Sequence, residues 1–283
     1  MNRTALFLEF ARRFARNRGA LLGFVILVIV VVAAFAAPWL IERDPLRIVG
    51  RPEVWPFTNP RYPLGTDSLG RDIWAMVVFG ARTTLMIGIL ASLTATVIGV
   101  VVGAFAAYFG GWVDEILTRL TELFQTIPNI LFIMTIVAIL GQTIGNITVA
   151  IGVVMWPPIA RLTRGEFLAL RDREFVQACR SMGMGDLAIM AGEILPNALP
   201  PVIVLSSLII GSSILFESAI SFLGLGDPNV ASWGALIGDG RTLIRRSWYI
   251  CAIPGLAIMF TVLAMNLIGD GLNDALNPKL RDR

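Results

Sequence analysis

ALLGFVILVIVVVAAFAAPWLI, residues 20–41, contains no charged side chain across 22 positions. At about 1.5 Å per residue it makes roughly 33 Å of helix, enough to cross a hydrocarbon core of about 30 Å. Arg3, Arg12, Arg13, Arg16 and Arg18 precede it, against the single acid Glu9. A secretory signal peptide offers a second reading, with Ala34-Phe35-Ala36 as a cleavage-like site. Its apolar region would normally run about 7–15 residues, and this one is longer, so a membrane span is expected. Similar charge-free runs cover 83–109, 123–160, 194–216 and 247–269. The run 123–160 exceeds one crossing; Gly141, Gly145 and Asn146 break it into two helices joined by a tight turn. Pro157-Pro158 should kink the fourth span, and Pro254 should interrupt the last. The expected fold is all-α, with six transmembrane helices.

Composition agrees. The chain is 56% hydrophobic and 15% charged, against roughly a quarter charged in a soluble domain. There is no histidine, which excludes His-based triads, proton shuttles and most zinc sites. The only lysine is Lys279, and no glycine-rich turn precedes it, so the chain has no P-loop. Any ATP, with its Mg²⁺, must be bound by another polypeptide, and no cofactor or metal is expected on this one. Cys179 and Cys251 lie far apart and read as two idle thiols. No clustered basic face suggests nucleic-acid binding.

With the N-terminus inside, 14 of the 23 basic residues fall on inner segments. That bias predicts that both termini are cytoplasmic. The expected division is an inner segment 1–19, a first span 20–41, an outer loop 42–82, a five-helix core 83–270 and an inner tail 271–283. The outer loop is broken by Pro45, Pro52, Pro56, Pro60 and Pro63. Beyond Asp67, a plausible N-cap, Leu69, Ile73, Met76, Val77 and Gly80 fall at helical spacing and predict a short amphipathic surface helix.

Three features invite a functional reading. The inner loop 161–196 is long, carries charges at helical spacing, and breaks at Gly183–Gly185 into two short helices. Phe167, Leu170, Phe175 and Ala178 should line its apolar face. It is either a solvated hairpin or an element that docks into a cytoplasmic partner. Glu217, in FESAISFLGLG (216–226) with Phe222, sits at the outer end of the fifth span. A carboxylate deep in hydrocarbon costs about 2–3 kcal/mol, so it should face protein or water. It is either a helix-end acid paired with an arginine or, with Phe222, part of the outer mouth of a solute pathway. Gly99 and Gly103 are four apart on the second span, a spacing that lets helices pack closely in lipid, within the bundle or against another subunit.

The motifs also resemble a known family. Gln177-Ala178-Cys179, then Gly183, then Leu195-Pro196 are similar to the cytoplasmic motif of permease subunits of bacterial ATP-binding-cassette importers. PLGTDSLGRD (63–72), FGAR (79–82), YFGGWVDE (108–115), EFVQACRSMG (174–183), ILPN (194–197), SFLGLG (221–226), SWG (232–234) and GDGLNDALNPKLR (269–281) resemble, in order, the oligopeptide/dipeptide/nickel branch, in its second (C-type) permease. The resemblance covers nearly the whole chain. Gln177 stands where the motif has glutamate, Cys179 where its second alanine is usual, and Glu193 where the general pattern has isoleucine. The physical needs of the motif are small residues for close approach and a glycine for a bend, and Ala178, Cys179 and Gly183 supply them.

The resemblance implies a non-enzymatic permease in the bacterial inner membrane that imports short peptides or, alternatively, nickel or a nickel chelate. It implies a second homologous permease, two cytoplasmic ATPases and an extracytoplasmic binding protein as partners. Glu174, Phe175, Gln177, Ala178, Cys179, Gly183, Leu195 and Pro196 become the coupling loop. The rival classes are poorly supplied. An ion-coupled carrier usually has ionisable groups near the midplane, and the spans offer little besides Glu217. A membrane-embedded enzyme would need clustered catalytic groups that the charge-free runs lack.

Overall fold

The computed structural model describes residues 14–276. Arg3, Glu9, Arg12 and Arg13 of the expected inner segment lie outside the described residues, as does 277–283 of the expected tail with Lys279, Arg281 and Arg283. Regular structure among the described residues is helical, apart from two isolated bridges, Ile48 to Arg71 and Thr66 to Asp72. The expected all-α class holds.

The first helix, α1 (Arg18–Leu40), starts where the Asn17 side chain accepts the Ala20 N–H and runs through the opening apolar stretch. The second, α2 (Ile73–Phe109), has 37 residues, about 55 Å at 1.5 Å per residue. Its N-cap is Asp72, which accepts from Trp74 N. This corrects two expectations. Asp67 is not an N-cap: it is fully buried, and its carboxylate accepts the N–H groups of Leu69 and Arg71 in the preceding turn. Nor is there a separate surface helix: Ile73, Met76, Val77 and Gly80 form the first turns of α2, and Leu69 lies in the turn before it. Glycine at 110, with φ +65°, ends α2.

Next come α3 (Gly111–Thr126) and α4 (Asn129–Leu140), which meet at 88°. Pro128 forces the turn, because the residue before a proline is driven out of helical conformation, and Ile127 is extended. The predicted tight turn falls at 141–143, and α5 (Ile144–Met155) leaves it under a Thr143 cap. A 42° bend at Trp156 leads into α6 (Pro157–Leu170), so Pro157-Pro158 kink the span as expected.

Then follow α7 (Glu174–Ser181) and α8 (Asp186–Ile189). The second of these is not a free-standing short helix: a π-type turn at Met190–Ile194 carries it straight into α9 (Leu195–Phe222). Pro196 cannot donate to the carbonyl four residues back, and the wider turn accommodates that loss. After α10 (Trp233–Gly240), the last helix is α11 (Tyr249–Leu276). Pro254 does not interrupt α11: it lies inside the helix, where it removes the bond to the Ile250 carbonyl, yet the helix continues to Leu276.

Four helical runs are long and apolar enough to cross a bilayer: α1, α2, Asp186–Phe222 and α11. The bent pairs α3–α4 and α5–α6 raise the number to as many as six. The central element is α2. Its Ile87, Ala91 and Ala95 join Ile133, Val137, Ile151, Val154, Ile159 and Ile209 from α4, α5, α6 and α9 in one apolar cluster. Gly99 and Gly103 face α6, where an added Cβ would lie 2.6 Å from Ile159 Cβ and 2.3 Å from the Ala160 carbonyl, respectively. Both therefore pack within the bundle. Gly103→Val should destabilise the purified protein by ~1–3 kcal/mol through overpacking, read as a lower thermal midpoint in detergent. Gly165→Ala, which meets open space, should leave the midpoint unchanged; equal losses would refute this packing account.

Candidate functional site

The element 171–194 hangs from the ends of α2 and α6. Arg171, which closes α6, donates from Nη1 to the Ala107 carbonyl at 2.7 Å. Val176 and Cys179 of α7 are buried with Phe167, Ala104, Ala107, Tyr108, Ile189 and Ile194. The expected apolar face is thus corrected for α7: Phe167 points in, but Phe175 and Ala178 point out with Glu174 and Gln177. Only a three-dimensional neighbour distinguishes Val176 from Phe175, because both are apolar.

The elbow after α7 is a Schellman motif. Gly183 N donates to the Arg180 carbonyl and Met184 N to the Cys179 carbonyl, with Gly183 at φ +79°. Nothing lies within 4 Å of an added Cβ there, so glycine is required for its backbone angle and not for room. Met182 and Leu187 project from the elbow, 75% and 65% exposed. Tyr108 anchors the far side: its hydroxyl donates to Asp186 Oδ1 at 2.6 Å, and the Arg180 guanidinium lies 5.3 Å from its ring centre. Leu195 packs beneath the element and Pro196 is exposed at the start of α9. The element is a rigid bracket with an exposed, partly apolar outer surface.

At the opposite end, Glu217 of α9 has no accessible surface and pairs with no arginine among the described residues. Hydroxyls satisfy it: Ser221 donates to Oε1 at 2.8 Å, and Thr84 of α2 to Oε2 at 3.2 Å. The acid thus cross-links α2 and α9 from inside. Beside it, α10 is pressed onto α9, because a Cβ at Gly234 would lie 2.2 Å from the Ser218 carbonyl. The Trp233 indole donates to the Val77 carbonyl at 2.8 Å.

Phe222, half-buried, lines a cavity of about 400 Å³ together with Ser221, Ser232, Arg71, Asp239 and Arg241. The Arg241 guanidinium lies 5.7 Å from its ring centre. Arg71 donates to both Asp67 and Asp239. Burial opposes its charge, but the hydrogen bonds and proximity of the two carboxylates outweigh burial and hold its pKa above the usual arginine value. This network was missed in the sequence. Its one local signal is the Asp67–Arg71 spacing in a glycine-containing turn; the Asp239 partner is 168 residues away.

Comparison with known proteins gives consistent findings. Residues 99–282 match the family described as the binding-protein-dependent transport system inner membrane component. Residues 6–53 match the N-terminal transmembrane domain of oligopeptide transport permease C. The di/tripeptide transport system permease protein of Pseudomonas aeruginosa is 37% identical over 280 residues, 97% of this chain and 92% of its own length. The glutathione transport system permease protein of Pectobacterium atrosepticum is 37% identical over 274 residues, 96% of this chain and 91% of its own. The inward-facing structure of the methionine ABC transporter MetNI shares the fold, with a TM-score of 0.60 at 19% identity, over 71% of this chain and 96% of the matched chain.

Replacing Glu217 tests its cross-link. Glu217→Ala strands three buried hydroxyls, those of Thr84, Ser218 and Ser221, and should cost ~1–3 kcal/mol, whereas Glu217→Gln retains an acceptor and should cost less. Thermal midpoints of the purified variants measure the difference; equal losses would mean that the hydroxyl contacts contribute nothing.

Proposed function

We propose, for a chain that belongs to the family of binding-protein-dependent transport-system inner-membrane components, that it forms half of the translocation pathway for short peptides in an ATP-binding-cassette importer. It is a permease subunit and not an enzyme. The relatives over nearly its whole length are permease proteins for di/tripeptides and glutathione, which favours a peptide-like solute over the nickel alternative. The finer assembly follows the family pattern: a second homologous permease beside this one, two cytoplasmic ATPases that bind ATP and Mg²⁺, and a binding protein on the outer face. Both termini are cytoplasmic in this proposal, which rests on the arginine bias.

The observation that carries it is the outer surface of the α7–α8 bracket. Glu174, Phe175, Gln177 and Ala178, with Met182 and Leu187 at the elbow, are exposed on an element bonded at its back to α2 and continuous with α9. A surface that moves with two spans is suited to receive a push. The ATPases must bind the two permease states with different affinity, because only a differential affinity shifts a conformational population. The Phe222–Arg241 side of the outer cavity is proposed to border the solute route, with Glu217 behind it holding the wall.

In proteoliposomes containing the whole transporter, Gly183→Val should lower ATP-driven peptide uptake by about tenfold. That is the effect of ~1–2 kcal/mol of left-handed strain spread through the docking surface. Basal ATP hydrolysis by the ATPases should persist. Normal uptake would remove the bracket from the coupling route.

A further inference from the structure

The helix α3 (Gly111–Thr126) is amphipathic in an unusual sense. At about 100° per residue its side chains divide into three sectors. Thr121, Asp114 and Gln125 turn toward α6. Asp114 accepts two hydrogen bonds from Arg164, both 2.6 Å, and Gln125 accepts one from Arg161 at 2.7 Å. Glu115, Arg119 and Glu122 form an exposed charged sector, in which Arg119 and Glu115 pair at 2.8 Å. Between them lies an exposed apolar sector of Trp112, Ile116, Leu120, Leu123 and, just past the helix end, Ile127. Trp112 is 81% exposed, Ile116 59% and Leu123 61%.

Phe124 packs against Phe132 and Trp156, and Asp114 and Gln125 bond to α6; in water the remaining apolar sector would turn inward too, but here it is presented outward. Full immersion in hydrocarbon is equally unsuitable, because Glu115, Arg119 and Glu122 would be stranded. We infer that α3 lies in the plane of the cytoplasmic leaflet, with its apolar sector in the boundary between phospholipid headgroups and acyl chains.

Three further observations fit that occupant. The 88° angle to α4 puts α3 across the direction of the crossing helix. Phe105 and Phe109, exposed at the end of α2 with ring centres 5.6 Å apart, come shortly before Trp112 in the chain, and aromatic rings collect at this depth in membranes. Finally, α4 has 12 residues and rises about 18 Å, about 12 Å short of a hydrocarbon core. A helix embedded about 5–10 Å into the boundary supplies most of the difference. Through Asp114–Arg164 and Gln125–Arg161, α3 then fixes the depth of α6, from which the coupling bracket hangs.

The test uses the assembled transporter in vesicles of phosphatidylcholine and phosphatidylglycerol. The signal of Trp112 is obtained as native fluorescence minus that of Trp112→Phe. Lipids brominated near the headgroup end of the acyl chain should quench it about twofold more than lipids brominated near the methyl end, and aqueous iodide should quench it weakly. Resistance to both bromolipids and iodide would show that protein, such as the second permease, covers this face. Quenching by iodide alone would show that it lies in water. Either result overturns the inference. Ile116→Glu in the same assay should raise iodide quenching of Trp112; an unchanged value would also count against it.

Discussion

Close backbone contact along α2 is the constraint on which the rest of the bundle depends. In lipid, helix association gains nothing from hiding apolar surface, since acyl chains are as apolar as leucine, and van der Waals fit has to replace it. The α2 side chains that would spoil the fit are reduced to hydrogen where neighbours press closest. Trp233 of α10 sits over Gly80, Ile214 of α9 over Gly88, Ile159 of α6 over Gly99, and the Ala160 carbonyl over Gly103. One long helix thereby ties the Glu217 end, the core and the bracket into a single body.

Each end of α2 uses that rigidity differently. At the end nearer Asp72, Thr84 reaches Glu217, and the Val77 carbonyl takes the Trp233 N–H, so α10 is held against α2 by groups that lipid could not satisfy. At the other end, Ala107 and Tyr108 hold Arg171 and Asp186 of the bracket, and the chain runs on from the bracket into α9.

The bracket also shows how a short motif can be physically minimal. The substitutions in it, Gln177 and Cys179, fall on opposite faces of α7. Cys179 is a small apolar group in the buried contact, which a second alanine would also satisfy. Gln177 is exposed, and its side-chain amide donates to the Asp172 carbonyl, so it closes the start of its own helix as well as offering a surface. The left-handed turn at Gly183 is the feature with no substitute among ordinary residues.

Sequence alone determined the membrane class, the all-helical fold, the proline bend at 157, the glycine elbow at 183 and the absence of a nucleotide site, whereas the sharper bend before Pro128 emerged only in the structure. These depend on local properties: run length, missing charge, a locked φ or a positive one. Tertiary structure decided what local properties leave open. Hydropathy did not distinguish Val176 from Phe175, or the lipid side of α3 from its protein side, because exposing an apolar group to lipid carries no penalty. It did not show that the surface helix and second span are one, since Asp67 looks like a cap but its carboxylate is taken up by the turn that precedes the helix. The surroundings of Glu217 and the Arg71–Asp239 pair were likewise invisible, because their partners lie 133 and 168 residues away in the chain. Only the packing of α2 brings them together.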